Sequence, residues 1–316
     1  MSIIISGPVW VGFAAFLWAT DALIRYPAIS KIDPTFIVLF EHVLAVLILL
    51  PWMYRKFRNS TFSLNRGEWN SAIFSGAGGS AAGTILFTAS FKYINPSVAV
   101  LLQKLQPVLV VLIAYAFLGE RPAKKFYLWG SVALIAGLVL SFPDLNFDFL
   151  LKKDSHSIGI QYALAAAFMW AAATVTGKNL LVRTPPPVAT FWRFFFGLVA
   201  VVLIVLISRS PIQMEYLLPG PSLYSLLYMS LVPGLLAIIL YYKGLSSTPA
   251  GVTAFIELVY PIGAIILNTA FLHTSLNLVQ MMAGGVLLLA VAMLSTEKMI
   301  FKVRPLLDKI GLNKVG

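Results

Sequence analysis

Five ionisable side chains, Glu41, His42, Lys104, Arg193 and Glu257, interrupt stretches that are otherwise apolar. A charged group at the centre of a membrane helix costs about 2.5–3.5 kcal/mol on insertion scales, so such groups commonly mark substrate or ion paths. Glu257, Pro261, Ala264 and Asn268 follow one another at spacings of four, three and four, which sets them on one helix face. Gln103 and Pro107 repeat the spacing of Glu257 and Pro261. Proline lacks an N–H and frees a backbone carbonyl for a ligand. Gln103, Glu257 and Asn268 are therefore candidate substrate-binding residues, and Pro107 and Pro261 candidate hinges. The competing reading is that the polar side chains only tie helices together.

Lys104 lies about two turns inside its span, where it would pair with Glu257 or Glu41 or hold a substrate carboxylate. Arg193 suits a carboxylate too, with an interhelical counter-ion role as the alternative. His titrates near neutrality, which makes Glu41 and His42 candidates for proton coupling, although adjacent residues do not share a face. Asp21 and Arg25 form an i,i+4 pair that reads as self-neutralising near an outer mouth. Trp18 and Trp170 are candidate cavity walls, as are Tyr260 and Trp192. Aromatic belts sit at membrane interfaces, so one of the two Trp residues reads first as a belt residue, with a cavity wall as the alternative for either. The glycines of Gly76–Gly83, with Gly130, Gly137, Gly284 and Gly285, provide small surfaces for close helix contact. The first of these clusters also offers a bending point.

No phosphate-cradling G-x-x-x-x-G-K-[ST] loop and no H-E-x-x-H pair occurs. His42, His156 and His273 are too scattered for an obvious metal site, and the chain has no Cys for thiolate chemistry. The expectation is a non-enzyme without metal or cofactor.

The elements that must position these groups follow from composition. The chain is 59% hydrophobic and 11% charged, whereas a soluble domain carries roughly 25% charged residues, so its solvent must be lipid. Runs of about 20 apolar residues predict ten spans, near 9–29, 35–54, 69–91, 96–118, 126–143, 158–180, 188–208, 222–244, 249–272 and 277–296. The first run lacks a basic leader and is too long for a signal peptide, so no cleavage is expected. In the even-numbered connections and the tail stand Arg55, Lys56, Arg58, Arg66, Arg121, Lys124, Lys125, Lys178, Arg183, Lys243, Lys298, Lys302, Arg304, Lys309 and Lys314. The odd-numbered connections hold only Lys31, Lys92, Lys152, Lys153 and Arg209. By the positive-inside rule both termini are cytoplasmic. This topology accounts for the net charge of +11 without nucleic acid. The tail 297–316 is basic and would lie on the anionic inner leaflet or extend into solution.

Self-comparison reveals a duplication. The stretch Asn95–Pro107 aligns with Pro249–Pro261 at an offset of 154, continuing to Leu118/Leu272 and Gly130/Gly284. Ala14-Ala-Phe-Leu-Trp-Ala19 matches Ala166-Ala-Phe-Met-Trp-Ala171, and Phe40-Glu-His42 matches Phe191-Trp-Arg193. An odd number of helices per half inverts the second half. Inverted repeats place a substrate site between the halves near the midplane and support alternating access. The fold class read here is an all-α membrane protein of ten helices in two inverted five-helix repeats, 1–150 and 151–296.

Several motifs also carry a family resemblance. They are the Ala-Ala-Phe-x-Trp-Ala stretch early in each half, Phe91-Lys-Tyr-Ile-Asn-Pro96 leading into the fourth span, and Pro107 followed by Leu118-Gly-Glu-Arg-Pro122. In these the chain resembles the drug/metabolite transporter superfamily and its ten-helix EamA-type exporters, over roughly residues 8–296. The resemblance implies a secondary transporter of the bacterial inner membrane, without ATP hydrolysis, that exports amino acids or related small metabolites. The sequence departs from the pattern at Leu272-His-Thr-Ser275, where the first half has Leu-Gly-Glu, and at Glu41-His42, where the family often has a lone Arg. Mixed charge in the spans suits a zwitterionic or amphipathic substrate. A channel or lipid scramblase is the rival class, and the protein would act as a monomer or homodimer.

Overall fold

Punctuation by Pro, Gly and small capping residues sets the helix boundaries. The computed structural model describes residues 7–58, 64–118, 124–143, 154–248, 253 and 256–296, and among these there are helices and no strands. The basic tail 297–316 and the Leu118-Gly-Glu-Arg-Pro motif beyond Leu118 lie outside the described residues. The helices are α1 Gly7–Ala28, α2 Pro34–Arg58, α3 Arg66–Ser90, α4 Pro96–Gln103, α5 Gln106–Leu118 and α6 Lys124–Ser141. They continue as α7 Ser155–Leu181, α8 Pro186–Ser208, α9 Pro221–Ser247, α10 Val259–Leu272 and α11 Leu278–Thr296. Six of them (α1, α2, α3, α7, α8 and α9) are long and apolar enough to cross a membrane. Shorter apolar helices cover Pro96–Val110, Lys125–Ser141, Val259–Leu272 and Leu278–Leu294.

Caps explain several starts. Asn65 and Glu68 form a reciprocal capping box at α3, which satisfies two of the N–H groups a helix start leaves unpaired. Asn95 accepts from Ser97 N–H just before Pro96 at α4. Asp154 accepts from Ser157 N–H at α7. That N–H holds the Asp154 carboxyl below the usual carboxylate range.

The expected span 96–118 is not one helix: the chain turns at Lys104–Leu105 and restarts at Gln106. Pro107 explains the break, because it has no N–H to donate to the Gln103 carbonyl. Glu257 and Leu258 form an equivalent turn before α10, with Pro261 four residues after Glu257. Two π-helical stretches, Ser75–Gly83 in α3 and Ser230–Leu236 in α9, also fall at matching places in the duplication.

Packing between the two halves comes in matched pairs. α1 lies on α9 as α7 lies on α3, and α1 meets α10 as α7 meets α4 and α5. α2 packs on α8, and α6 packs on α11. Small residues permit close approach. A Cβ on Gly76 would meet Arg193 O at 2.6 Å and Gly197 N at 2.8 Å, and one on Gly79 would overlap the Ala173 methyl. Ala163, Ala166, Ala167, Ala171 and Ala173 are all buried on α7. Outward-facing side chains such as Leu206, Ile207, Phe271, Leu278 and Met282 are exposed, as lipid-facing surface requires.

Candidate functional site

A cavity of about 160 Å³ lies between the halves, walled by residues of α1–α5 and α7–α10 together with Glu257, while α6 and α11 contribute nothing to it. Most of its lining falls into repeat mates: Trp18/Trp170, His42/Arg193, Ser80/Gly234, Thr84/Ile238, Phe87/Tyr241, Gln103/Glu257 and Gln106/Tyr260. Both Trp residues line the cavity, as the reading of them as cavity walls expects. Trp18 Nε1 donates to Pro233 O at 3.1 Å, and its ring lies 5.1 Å from Tyr241 and 6.5 Å from Tyr260, centroid to centroid. Trp170 lies 5.0 Å from Phe87 and against Gly83, where a Cβ would sit 2.9 Å from its Nε1. Trp192 packs instead on Trp69 (4.8 Å) and Phe196 (5.7 Å) and is not part of the lining.

The two helix breaks bring the central polar groups together. Lys104 Nζ lies 3.9 Å from Glu257 Oε2 and 5.0 Å from the Tyr260 ring centroid. Of the two partners expected for Lys104, the structure selects Glu257. The Gln103 side-chain oxygen is buried and has no hydrogen-bond partner among the described residues, and such a group is ordinarily satisfied by protein, water or ligand. Gln106 Nε2 donates to Thr174 Oγ1 at 3.0 Å.

Asn268 stands apart from this group. It is fully buried and donates to Ser97 Oγ at 3.2 Å, tying α10 to α4 rather than facing the cavity. Sharing a face with Glu257 did not bring it to the cavity because the chain turns between them, at Glu257–Leu258. Pro107 and Pro261 do not line the cavity either; each lies four residues after a lining residue, Gln103 or Glu257, next to a helix break.

The acidic and basic groups divide into three sets. Arg25 donates to Asp21 through Nε (2.6 Å) and NH2 (3.0 Å), to Glu41 Oε1 through NH2 (2.6 Å), and to Thr88 Oγ1 through NH1 (3.1 Å). Asp21 and Arg25 are therefore not an isolated pair at a mouth, as their spacing implies, but part of a buried triad in the cavity wall. Lys104 and Glu257 form the second set. Arg193 is the third, with NH1 near the Tyr242 (3.2 Å) and Ser75 (3.4 Å) hydroxyls, its guanidinium 5.9 Å from the Tyr242 ring centroid, and no carboxylate partner among the described residues. His42 has Nδ1 at 2.7 Å from Val38 O and Nε2 at 3.0 Å from Ser80 Oγ. That network places the hydrogen on Nδ1.

The comparisons with known proteins agree with this architecture. The EamA-like transporter family matches the chain twice, over residues 5–142 and 157–296. The riboflavin transporter ImpX of Fusobacterium nucleatum is 26% identical over 302 residues, covering 92% of this chain and 98% of that protein. The uncharacterized transporter YwfM of Bacillus subtilis is 24% identical, covering 85% and 86%. The uncharacterized inner membrane transporter YhbE of Escherichia coli K12 is 23% identical over about half of each chain, 56% and 55%. A solved crystal structure at 18% identity superposes with a TM-score of 0.59 over 92% of this chain and 96% of that one, which shows a shared fold. The chain therefore belongs to the EamA-like transporter family of the drug/metabolite transporter superfamily and is a multi-pass transporter of the bacterial inner membrane.

Proposed function

We propose that this protein is a secondary active transporter in which two inverted five-helix halves alternate access to the central cavity, and that its substrate is a small metabolite with a flat heteroaromatic part. The observation that carries the reading is the pairing of aromatic walls with a polar centre. Tyr241 and Tyr260 pack on Trp18, Trp170 stands on Phe87, and the Lys104–Glu257 pair and the Gln103 amide lie at the breaks of the two halves. Aromatic faces stack flat rings, and the amide and ion pair would satisfy ring carbonyl and N–H groups. A zwitterionic amino acid would engage the ion pair but leave most of the aromatic wall unused. Riboflavin, the substrate named for the relative in Fusobacterium nucleatum, has both kinds of group and is the first compound to test. The matched packing of α1 on α9 and α7 on α3 supports the inverted arrangement. The distribution of Lys and Arg supports ten crossings with cytoplasmic termini.

Counterflow in proteoliposomes tests this reading. Labelled riboflavin outside should exchange faster when unlabelled riboflavin is inside, with saturation, and an amino-acid mixture should not compete. Trp18→Ala and Trp170→Ala should each weaken apparent affinity about tenfold, the loss of one stacking contact of about 1–3 kcal/mol. Flux that neither saturates nor responds to internal riboflavin identifies a channel or scramblase instead.

A further inference from the structure

We propose that Glu41 is the proton-carrying group of this transporter, with Arg25 and Asp21 setting its charge balance; the proposal rests on the transporter reading of the cavity but not on the substrate. The triad belongs to one half only. In the duplication the positions of Asp21, Arg25 and Glu41 correspond to Ala173, Gly177 and Trp192. Those uncharged residues occupy the same places in the same fold, so the architecture does not require the three charges. A buried cluster that packing does not call for is a functional feature of one half.

Geometry selects which carboxylate takes the proton. Asp21 is gripped by two nitrogens of Arg25, at Oδ2 by Nε and at Oδ1 by NH2. A bidentate guanidinium–carboxylate pair is the stronger kind. Glu41 shares NH2 with Asp21 and is held through Oε1 alone among the described residues, which leaves Oε2 to bind a proton. With all three groups ionised, two carboxylates face one guanidinium and the triad carries a net negative charge. A proton on Glu41 cancels it without disturbing the Asp21 fork.

The other groups around Glu41 do not replace that proton. His42 has both ring nitrogens bonded, and its ring fills the space beside Gly197 so closely that a Cβ there would overlap it. α3 brings the uncharged Ser80 and Thr84 to the cavity lining and Thr88 to Arg25. On α9, Tyr228 is bonded to Thr20, and Tyr241 faces Glu257. Across the cavity Tyr260 lies under Lys104, and Lys104 and Glu257 balance each other. Arg193 on α8 supplies the remaining positive charge. Ligand groups that draw on Arg193 therefore increase the need for a proton at Glu41, which couples loading of the cavity to protonation.

An infrared titration of the purified protein in nanodiscs tests this without any substrate. Acidification should produce carbonyl bands of protonated carboxylic acids in the wild type, and Glu41→Gln should remove one component, isolated in the difference between the two spectra. Asp21→Asn leaves Arg25 to one carboxylate. At the pH where that component is half developed in the wild type, it should be about fivefold weaker in this variant, the effect of a tenfold change in proton affinity. Identical bands in the wild type and Glu41→Gln, or a component unchanged in Asp21→Asn, overturn the proposal, and if Glu41→Gln fails to fold by gel filtration then Asp21→Asn decides. Riboflavin counterflow on the same wild-type preparation separates the two readings. Its absence removes the substrate assignment and leaves the titration result standing.

Discussion

Lys104 Nζ stands 3.9 Å from Glu257 Oε2, and the two residues come from equivalent helix breaks in the two halves of the chain. The separation is at the limit of direct contact, and the Glu257 side chain keeps 17% of its surface exposed to the cavity. A tight pair would have to be broken for a ligand to enter, whereas this one leaves room between its members. Removing one partner leaves the other charge uncompensated, at a cost of about 1–3 kcal/mol for a pair at this separation. Glu257→Gln should therefore lower the melting temperature in detergent, and Lys104→Gln combined with Glu257→Gln should recover part of the loss. Riboflavin counterflow should be lost in both. Stability effects that simply add in the double variant would mean that the two residues do not interact.

Close packing of α3 on α7 and α8 makes a second expectation. A methyl at Gly79 would overlap Ala173, while a Cβ at Gly285 on α11 meets nothing within 4 Å. Gly79→Ala should destabilise the protein by about 1–3 kcal/mol, the usual range for overpacking, and Gly285→Ala should leave the melting temperature unchanged or slightly higher. Equal melting temperatures for the two variants would count against the packing of α3 on α7.

Much of this arrangement was legible in the chain because a duplication reports on two places at once. The offset that aligns Gln103 with Glu257 also aligns Ser80 with Gly234, Thr84 with Ile238 and Phe87 with Tyr241, and all of these line the cavity. Carried one helix further back, the same comparison identifies Tyr241 and Thr84, which a search for charged residues passes over. What the spacing hid was helix continuity. Hydropathy reads 96–118 as one apolar run, yet Pro107 removes a backbone hydrogen bond at Gln103, and the resulting turn brings Lys104 to the cavity. The triad was misread for a similar reason. An i,i+4 pair accounts for itself locally, and only the hydrogen bond from Arg25 on α1 to Glu41 on α2 reveals the third member.

Outside the membrane-spanning segments, Asp154 provides a pH-dependent cap. Its carboxyl accepts from Ser157 N–H at 2.7 Å and is held below its ordinary range by that bond. A group whose folded-state pKa is depressed contributes stability above its unfolded pKa, and that contribution fades as pH falls through the folded value. Asp154→Ala should lower the melting temperature at neutral pH, and the difference from wild type should shrink on acidification below the carboxylate range. Asp154→Asn, which caps about as well, should stay near the wild-type value at neutral pH. A difference between Ala and wild type that does not change with pH would show that the cap is not electrostatic.

The two helix breaks also predict separate effects on binding and on turnover. Pro107 and Pro261 lie four residues after Gln103 and Glu257, and each removes the N–H that would close the helix over that residue's carbonyl. Alanine at either position restores the donor and lets the helix run straight through the break. If the proposed alternating access moves these segments against each other, a continuous helix should raise the barrier between the two states while leaving the cavity walls in place. Pro107→Ala and Pro261→Ala should bind riboflavin within a few-fold of wild type, measured by tryptophan fluorescence from Trp18 and Trp170. Exchange in proteoliposomes should slow about tenfold, as expected for an added barrier of about 1.4 kcal/mol. Because the breaks are equivalent, each single variant should slow exchange by itself. Unchanged turnover in both variants would mean that the breaks serve only to shape the site and that the moving segments lie elsewhere, with the π-helical stretches Ser75–Gly83 and Ser230–Leu236 the next to test.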